Sequence, residues 1–190
     1  QSGGIITPSY LKASQVGERR KAQMKKMTEE NLKAAFAGES QAHMKYLVFA
    51  DKAEQEGKLN TARLFKAIAY AEQVHETNHL KALGNVKSTS ENLATAIVGE
   101  TFEVEEMYPA YNAVAELQNE KGAKKSMGWA EEEEKIHITL YGNAKKAMLK
   151  GEDVKVGDIY ICEFCGYTAE GKAPDKCPLC GAAKDKFKKF

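Results

Sequence analysis

The chain has 190 residues, a formal net charge of +1 and 43% hydrophobic residues. That length holds one helical domain of ordinary size and a small appendage. Balanced charge steers it toward neither nucleic acid nor an anionic membrane, and no apolar run approaches the ~20 residues a spanning helix needs.

Residues 1–27 carry Gly3, Gly4, Pro8 and scattered basic side chains, and are expected to form an extended arm. No charged head followed by an apolar stretch opens it, so no signal peptide is expected. A first helix starts at Thr28 as N-cap, with Glu29 and Glu30 in its first turn. It runs to Glu56, ahead of Gly57. Asn60 caps a second helix, which continues to Leu83 and stops at Gly84. Ser88 and Glu91 form a capping-box signature for a third. It reaches Lys121, before Gly122, and contains Pro109, which predicts a kink near Met107. A fourth spans Lys124 to Lys150 and ends at Gly151, with Gly128 and Gly142 as local weak points. These four helices make a mainly α domain over residues 28–150. A linker over 151–157 leads to residues 158–190, with a β-prone stretch at Ile159-Tyr160-Ile161 and several Cys-Gly turns. This last region is too small for an apolar core of its own, so a metal must stabilise it.

Four glutamates and two histidines recur along the helices. Glu39 lies in Phe36-Ala37-Gly38-Glu39-Ser40-Gln41, followed by Glu72-Gln73-Val74-His75, then Glu100, then Glu134-Lys135-Ile136-His137. Positions i and i+3 share a helix face, so each E-x-x-H presents an oxygen and a nitrogen ligand together. One Glu from each of two helices and a Glu-x-x-His from each of two others is a di-metal carboxylate ligand set. The flanks support it. Glu39 sits among Ala35, Phe36, Ala42 and Tyr46, Glu72 follows Ile68-Ala69-Tyr70-Ala71, and Glu100 follows Ala96-Ile97-Val98-Gly99. Carboxylates in such company are costly without a cation nearby. Surface charges on amphipathic helices would also yield one E-x-x-H, but not two interleaved with two apolar-flanked glutamates.

Glu103, three residues after Glu100, is a candidate seventh ligand, against the alternative of a solvent-facing acid beside Glu105 and Glu106. Tyr46 and Tyr108 are candidates to hydrogen-bond the ligating carboxylates, against ordinary buried tyrosines. His43 and His79 are read as structural or exposed. The run Glu131-Glu132-Glu133-Glu134 is read as solvated apart from Glu134, the one member with a histidine at i+3. Carboxylates with some imidazole suit iron or manganese better than zinc or copper.

All four cysteines lie beyond residue 161, in Cys162-Glu163-Phe164-Cys165-Gly166-Tyr167 and Cys177-Pro178-Leu179-Cys180-Gly181. Two neighbouring C-x-x-C pairs read as metal knuckles, not as a disulfide scaffold. Four thiolates form a tetrahedral site for iron or zinc, and the spacing leaves both open. Glycine after each second cysteine permits the turn that aims backbone N–H groups at sulfur. Thiolate ligands survive in reducing surroundings, so a cytoplasmic location is expected.

Together these segments resemble the rubrerythrin family. The matching text is Ala35-Phe36-Ala37-Gly38-Glu39-Ser40-Gln41-Ala42, Glu72-x-x-His75, Gly99-Glu100-x-x-Glu103, Met107-Tyr108-Pro109, Glu134-x-x-His137, Cys-x-x-Cys-Gly-Tyr and Cys-Pro-x-Cys-Gly, in the family's order from about Glu29 to Phe190. The resemblance implies a ferritin-like four-helix bundle holding two non-haem irons with carboxylate and oxo bridges. A rubredoxin-like domain with one iron on Cys162, Cys165, Cys177 and Cys180 follows it. It implies that Glu72 and Glu134 bridge the irons and that Glu39 is terminal on one. Glu100 and His137 are then terminal on the other, and Glu103 and His75 alternate on the first as oxidation state changes. The implied activity is reduction of hydrogen peroxide to water in oxidative-stress defence. Its electrons come from a pyridine-nucleotide-linked reductase, often through rubredoxin. The rival readings are a ferroxidase or iron-storage protein of the ferritin type, and an interaction module with a structural zinc ribbon.

The link between the second and third helices carries a further expectation. In ferritin-like bundles these helices run parallel, so their link crosses the bundle's length. The second helix is roughly 35 Å long, while residues 84–89 span at most about 20 Å. Either the topology is plain up-down-up-down, or the third and fourth helices pack on the first and second of a partner chain. The exchange is favoured because it keeps the family's ligand arrangement. It implies a homodimer or larger homo-oligomer with di-iron sites shared between chains. Glu103 is then a candidate proton carrier. The short linker also suggests electron transfer from the thiolate iron to a bundle site on another subunit.

Overall fold

The computed structural model describes residues 24–190. Most of the expected N-terminal arm lies outside the described residues, and Lys26 and Met27 belong to the first helix. The described residues fall into two compact units that meet in sequence at Leu83 and Gly84. No helix among them is long and apolar enough to cross a membrane.

The first unit is a helical hairpin of α1 (Lys26–Gln55) and α2 (Leu59–Ala82). Both helices begin earlier than the capping residues suggest. Lys25 and Lys58 hold the N-cap positions without a side-chain cap bond, and Thr28 and Asn60 lie inside the first turns. The residues ahead of Thr28 are good helix formers, so propensity outweighs the cap. Gly57, at φ 70°, takes the left-handed conformation that ends α1 and lets α2 restart at once. Ala50, Ala53, Ala62 and Ala69 are the buried residues of the pair, and such small side chains permit close helix approach. Met44, Val48, Phe49, Leu64 and Ile68 stay exposed.

In the second unit the capping box at Ser88 and Glu91 opens α3 (Thr89–Phe102) as the sequence predicts. A π-helical turn over Glu103–Met107 then leads into α4 (Tyr108–Leu117). The kink expected near Met107 is thus a widened turn. Pro109, next to it, has no N–H to return to the preceding turn. The rod ends at Leu117 instead of Lys121, because Asn119 turns the chain at φ 57°, a conformation asparagine tolerates. Gly122 therefore lies inside α5 (Lys121–Met148). Helices α3 and α4 both pack on α5.

After the linker, β1 (Ile159–Cys162), β2 (Thr168–Glu170) and β3 (Phe187–Lys189) form an antiparallel sheet in the order β2-β1-β3. Ile161 pairs with Thr168 on one side and Lys188 on the other. The protein is mainly α, with four helical rods and a small C-terminal β-knuckle region. That region packs against α5 through β2.

Candidate metal centres

Each helical unit gathers one carboxylate–imidazole cluster. In the first, Glu39 of α1 meets Glu72 and His75 of α2, with one ligand atom from each within 4.8 Å of the others. His75 Nδ1 lies 2.9 Å from Glu72 Oε2, as the i, i+3 spacing requires. Both glutamates are half-buried and the imidazole is exposed. In the second unit, Glu100 of α3 meets Glu134 and His137 of α5 within the same 4.8 Å limit. His137 Nδ1 lies 2.6 Å from Glu134 Oε2. Burial, reinforced by a hydrogen bond with Glu134, pushes the Glu100 carboxyl up to about 7. A cation between these groups removes the conflict that a shared proton otherwise relieves. Two oxygens and a nitrogen per cluster suit iron or manganese.

The other sequence candidates take varied positions. Glu103 opens the π turn, half-buried, and belongs to neither cluster. Tyr108 is half-buried, and its phenol is pushed up by burial and by the carboxylates of Glu103, Glu134 and Glu100. It therefore keeps its proton and stays a donor. Tyr46 packs its ring against Phe49 and Phe65, at centroid distances of 6.3 and 6.1 Å. His43 Nδ1 lies 3.1 Å from Glu76 Oε1, a structural pair within the hairpin.

The cysteines converge. Cys162 Sγ is 3.7 Å from Cys180 Sγ, and Cys165 Sγ is 3.6 Å from Cys177 Sγ. A tetrahedron with metal–sulfur bonds of about 2.3 Å has sulfurs about 3.8 Å apart, so the cage already fits a metal. Burial, and beyond it the other three sulfurs, pushes the Cys165 thiol far up, while the Tyr167 N–H donates to it. Such thiols ionise only against a cation. Gly166, at φ 89°, makes the turn after the second ligand. Changing Cys165 to Ser is expected to abolish the visible thiolate–iron band and open the small domain to protease. Metal binding supplies about 10–16 kcal/mol to comparable thiolate sites. Iron in the two carboxylate clusters is expected to remain, as metal analysis will show.

One buried acid at the junction with the cysteine region escaped the sequence. Glu133, read there as solvated, is 3% exposed. Its Oε2 accepts the Thr168 backbone N–H at 2.7 Å, and its Oε1 is buried without a partner. Burial pushes its carboxyl up. Thr168 Oγ1 also lies 3.1 Å from His137 Nε2. The cysteine region thus touches His137 of its own chain, where β2 packs against α5.

A family model described as rubrerythrin matches residues 30–145, and one described as the rubrerythrin rubredoxin-like domain matches residues 160–188. Rubrerythrin-2 of Clostridium acetobutylicum is 40% identical over 178 residues, covering 86% of this chain and 97% of that protein. Nigerythrin of Nitratidesulfovibrio vulgaris is 35% identical over 174 residues, covering 84% and 85%. A solved structure of nigerythrin in a partially reduced state superposes with a TM-score of 0.50 at 29% identity, covering 100% of both chains.

Proposed function

The chain belongs to the rubrerythrin family, non-haem di-iron oxidoreductases that reduce peroxide and carry a C-terminal iron–cysteine site, and on that basis we propose that it turns hydrogen peroxide into water with electrons entering at its four-cysteine site. The Glu/His clusters form a di-iron-coordinating set, and the cysteines a separate rubredoxin-like centre. The observation that carries the reading is their arrangement: His137, a member of one cluster, hydrogen-bonds Thr168 of the cysteine region.

In this reading residues 28–150 are the peroxidase domain and 158–190 the electron-entry domain. Glu72 and Glu134 would be the ligands shared by the iron pair, with Glu39 completing the set on one side and Glu100 and His137 on the other. His75 and Glu103 would be alternative ligands to one ion. When bound, the iron pair supplies the two electrons that split the O–O bond. The side chains do the rest. Glu103 starts a π turn, where helical geometry is relaxed, so its carboxylate has room to swing and to carry a proton. Tyr108 offers a phenol O–H to the carboxylates around it. Rubredoxin or a pyridine-nucleotide-linked reductase refills the cysteine site, one electron at a time. Four thiolate ligands survive best in reducing surroundings, which supports a cytoplasmic location.

Each cluster offers three donors, and each helical unit leaves large apolar side chains exposed: Phe49 and Leu64 in one, Val98 and Phe102 in the other. The reach limit on residues 84–89 supports exchange of helices between two chains, so that each di-iron site takes one cluster from each.

A substoichiometric pulse of peroxide is expected to reoxidise the reduced bundle centre within the mixing time of a rapid spectrophotometer, and air more slowly. Faster oxidation by air would overturn the peroxidase assignment.

A further inference from the structure

Three contacts join the cysteine region to α5. Trp129 meets Phe164 edge to face at 5.4 Å. His137 Nε2 reaches Thr168 Oγ1 at 3.1 Å. Glu133 Oε2 takes the Thr168 N–H at 2.7 Å. Beside them lies an open cleft, lined by Glu132, Lys135, Ile136, Tyr167 and Leu179 among others. The polar contact is therefore concentrated on one residue of β2.

Thr168 is 5% exposed and its bonds are directional. Its hydroxyl proton goes to the Gly166 carbonyl at 3.3 Å. With Nδ1 given to a metal beside Glu134, the His137 proton sits on Nε2, and Nε2–H donates to the Thr168 oxygen. Gly166 is bonded directly to Cys165. Two hydrogen bonds through one hydroxyl thus connect the thiolate cage to the imidazole, and Glu133 anchors the backbone N–H of the same residue. A carboxylate buried beside the metal ligand Glu134 is costly, and neither metal set uses it.

We propose that Thr168, held in place by the buried Glu133 carboxylate, is the junction through which the cysteine site passes electrons to His137 and the bundle centre. The inference rests on the peroxidase reading. In each transfer one electron leaves the thiolate iron, oxidising it from ferrous to ferric, and reduces one bundle iron from ferric to ferrous. No bond is made or broken. Two such transfers match the two electrons of H₂O₂ + 2e⁻ + 2H⁺ → 2H₂O. Glu133 is a positioning residue, since it acts through Thr168.

The test uses the iron-loaded full-length protein, with the thiolate band followed after reduced protein is mixed with peroxide. Thr168→Val keeps the backbone N–H for Glu133 and deletes the hydroxyl. Reoxidation of the thiolate iron is expected to slow at least about tenfold, within what small misplacements cost a positioned reaction. The residue 168 amide is expected to keep its protection from hydrogen exchange. Glu133→Ala is expected to slow reoxidation similarly and also to expose that amide to exchange. Glu133→Gln, whose amide oxygen still accepts the N–H, is expected to restore both. Wild-type rates of thiolate reoxidation in Thr168→Val and Glu133→Ala, with the bundle centre oxidised by peroxide as usual, would overturn the junction and leave the peroxidase reading intact. A wild-type bundle centre inert to peroxide would overturn the peroxidase reading instead.

Discussion

Glu72→Ala is expected to empty the paired centre while the thiolate iron stays. The side chain sits within 4.8 Å of Glu39 and His75 at its ligand atoms and is the proposed bridge between two ions. Losing even a residue that only supports a metal ligand costs 10–100-fold in affinity. Losing a bridge removes an oxygen from both ions at once, so bundle-iron affinity should fall by more than about 100-fold. The fold has little to lose, because Glu72 is half-buried at the hairpin surface, whereas the packed residues of α1 and α2 are alanines. Peroxide turnover should vanish while the visible band of the cysteine site persists. Iron analysis showing about three irons per chain in the variant, as many as the full protein would hold in its two site types, would contradict the bridging role.

The second large effect comes from pairing two inactive chains. If helices are exchanged, each di-iron site unites Glu39, Glu72 and His75 of one chain with Glu100, Glu134 and His137 of the other. A mixed dimer of Glu72→Ala and Glu134→Ala chains then has one site carrying both defects and one carrying neither. Co-expression of the two chains with different affinity tags, followed by tandem purification, is expected to recover close to half the wild-type peroxidase activity per dimer. Without exchange every site keeps one defect and the mixed dimer stays inactive. The experiment thus reads topology from activity alone.

The two Glu/His clusters were legible because helical geometry turns local spacing into a shared face. Glu72 and His75, and Glu134 and His137, announce themselves three residues apart, and the apolar flanks of Glu39 and Glu100 mark acids that need a cation. The cysteine cage was equally plain, since two C-x-x-C turns carry their own geometry. Helix starts were less so. Lys25 and Lys58 make no cap bond, and only the absence of a helix breaker after them gives the starts away. The π turn needed the backbone, because Pro109 predicts a disturbance and not its form. Glu133 was unreadable. It stands in a run of four acids, and its partner Thr168 is 35 positions away in sequence, so nothing near it signals burial. The spacing of the cysteines likewise left iron and zinc equal, and family membership is what favours iron.

The break after Leu83 has a consequence for how such a chain acquires its metals. If helices are exchanged as proposed, three donors on either side of the break would leave a newly synthesised monomer gripping each ion weakly and the completed dimer gripping it firmly. Mass action then makes iron uptake depend on the amount of protein present. At low abundance such chains would dissociate and release a redox-active ion. As they accumulate, loading and dimerisation would reinforce one another, and the catalyst would switch on over a narrow range of expression.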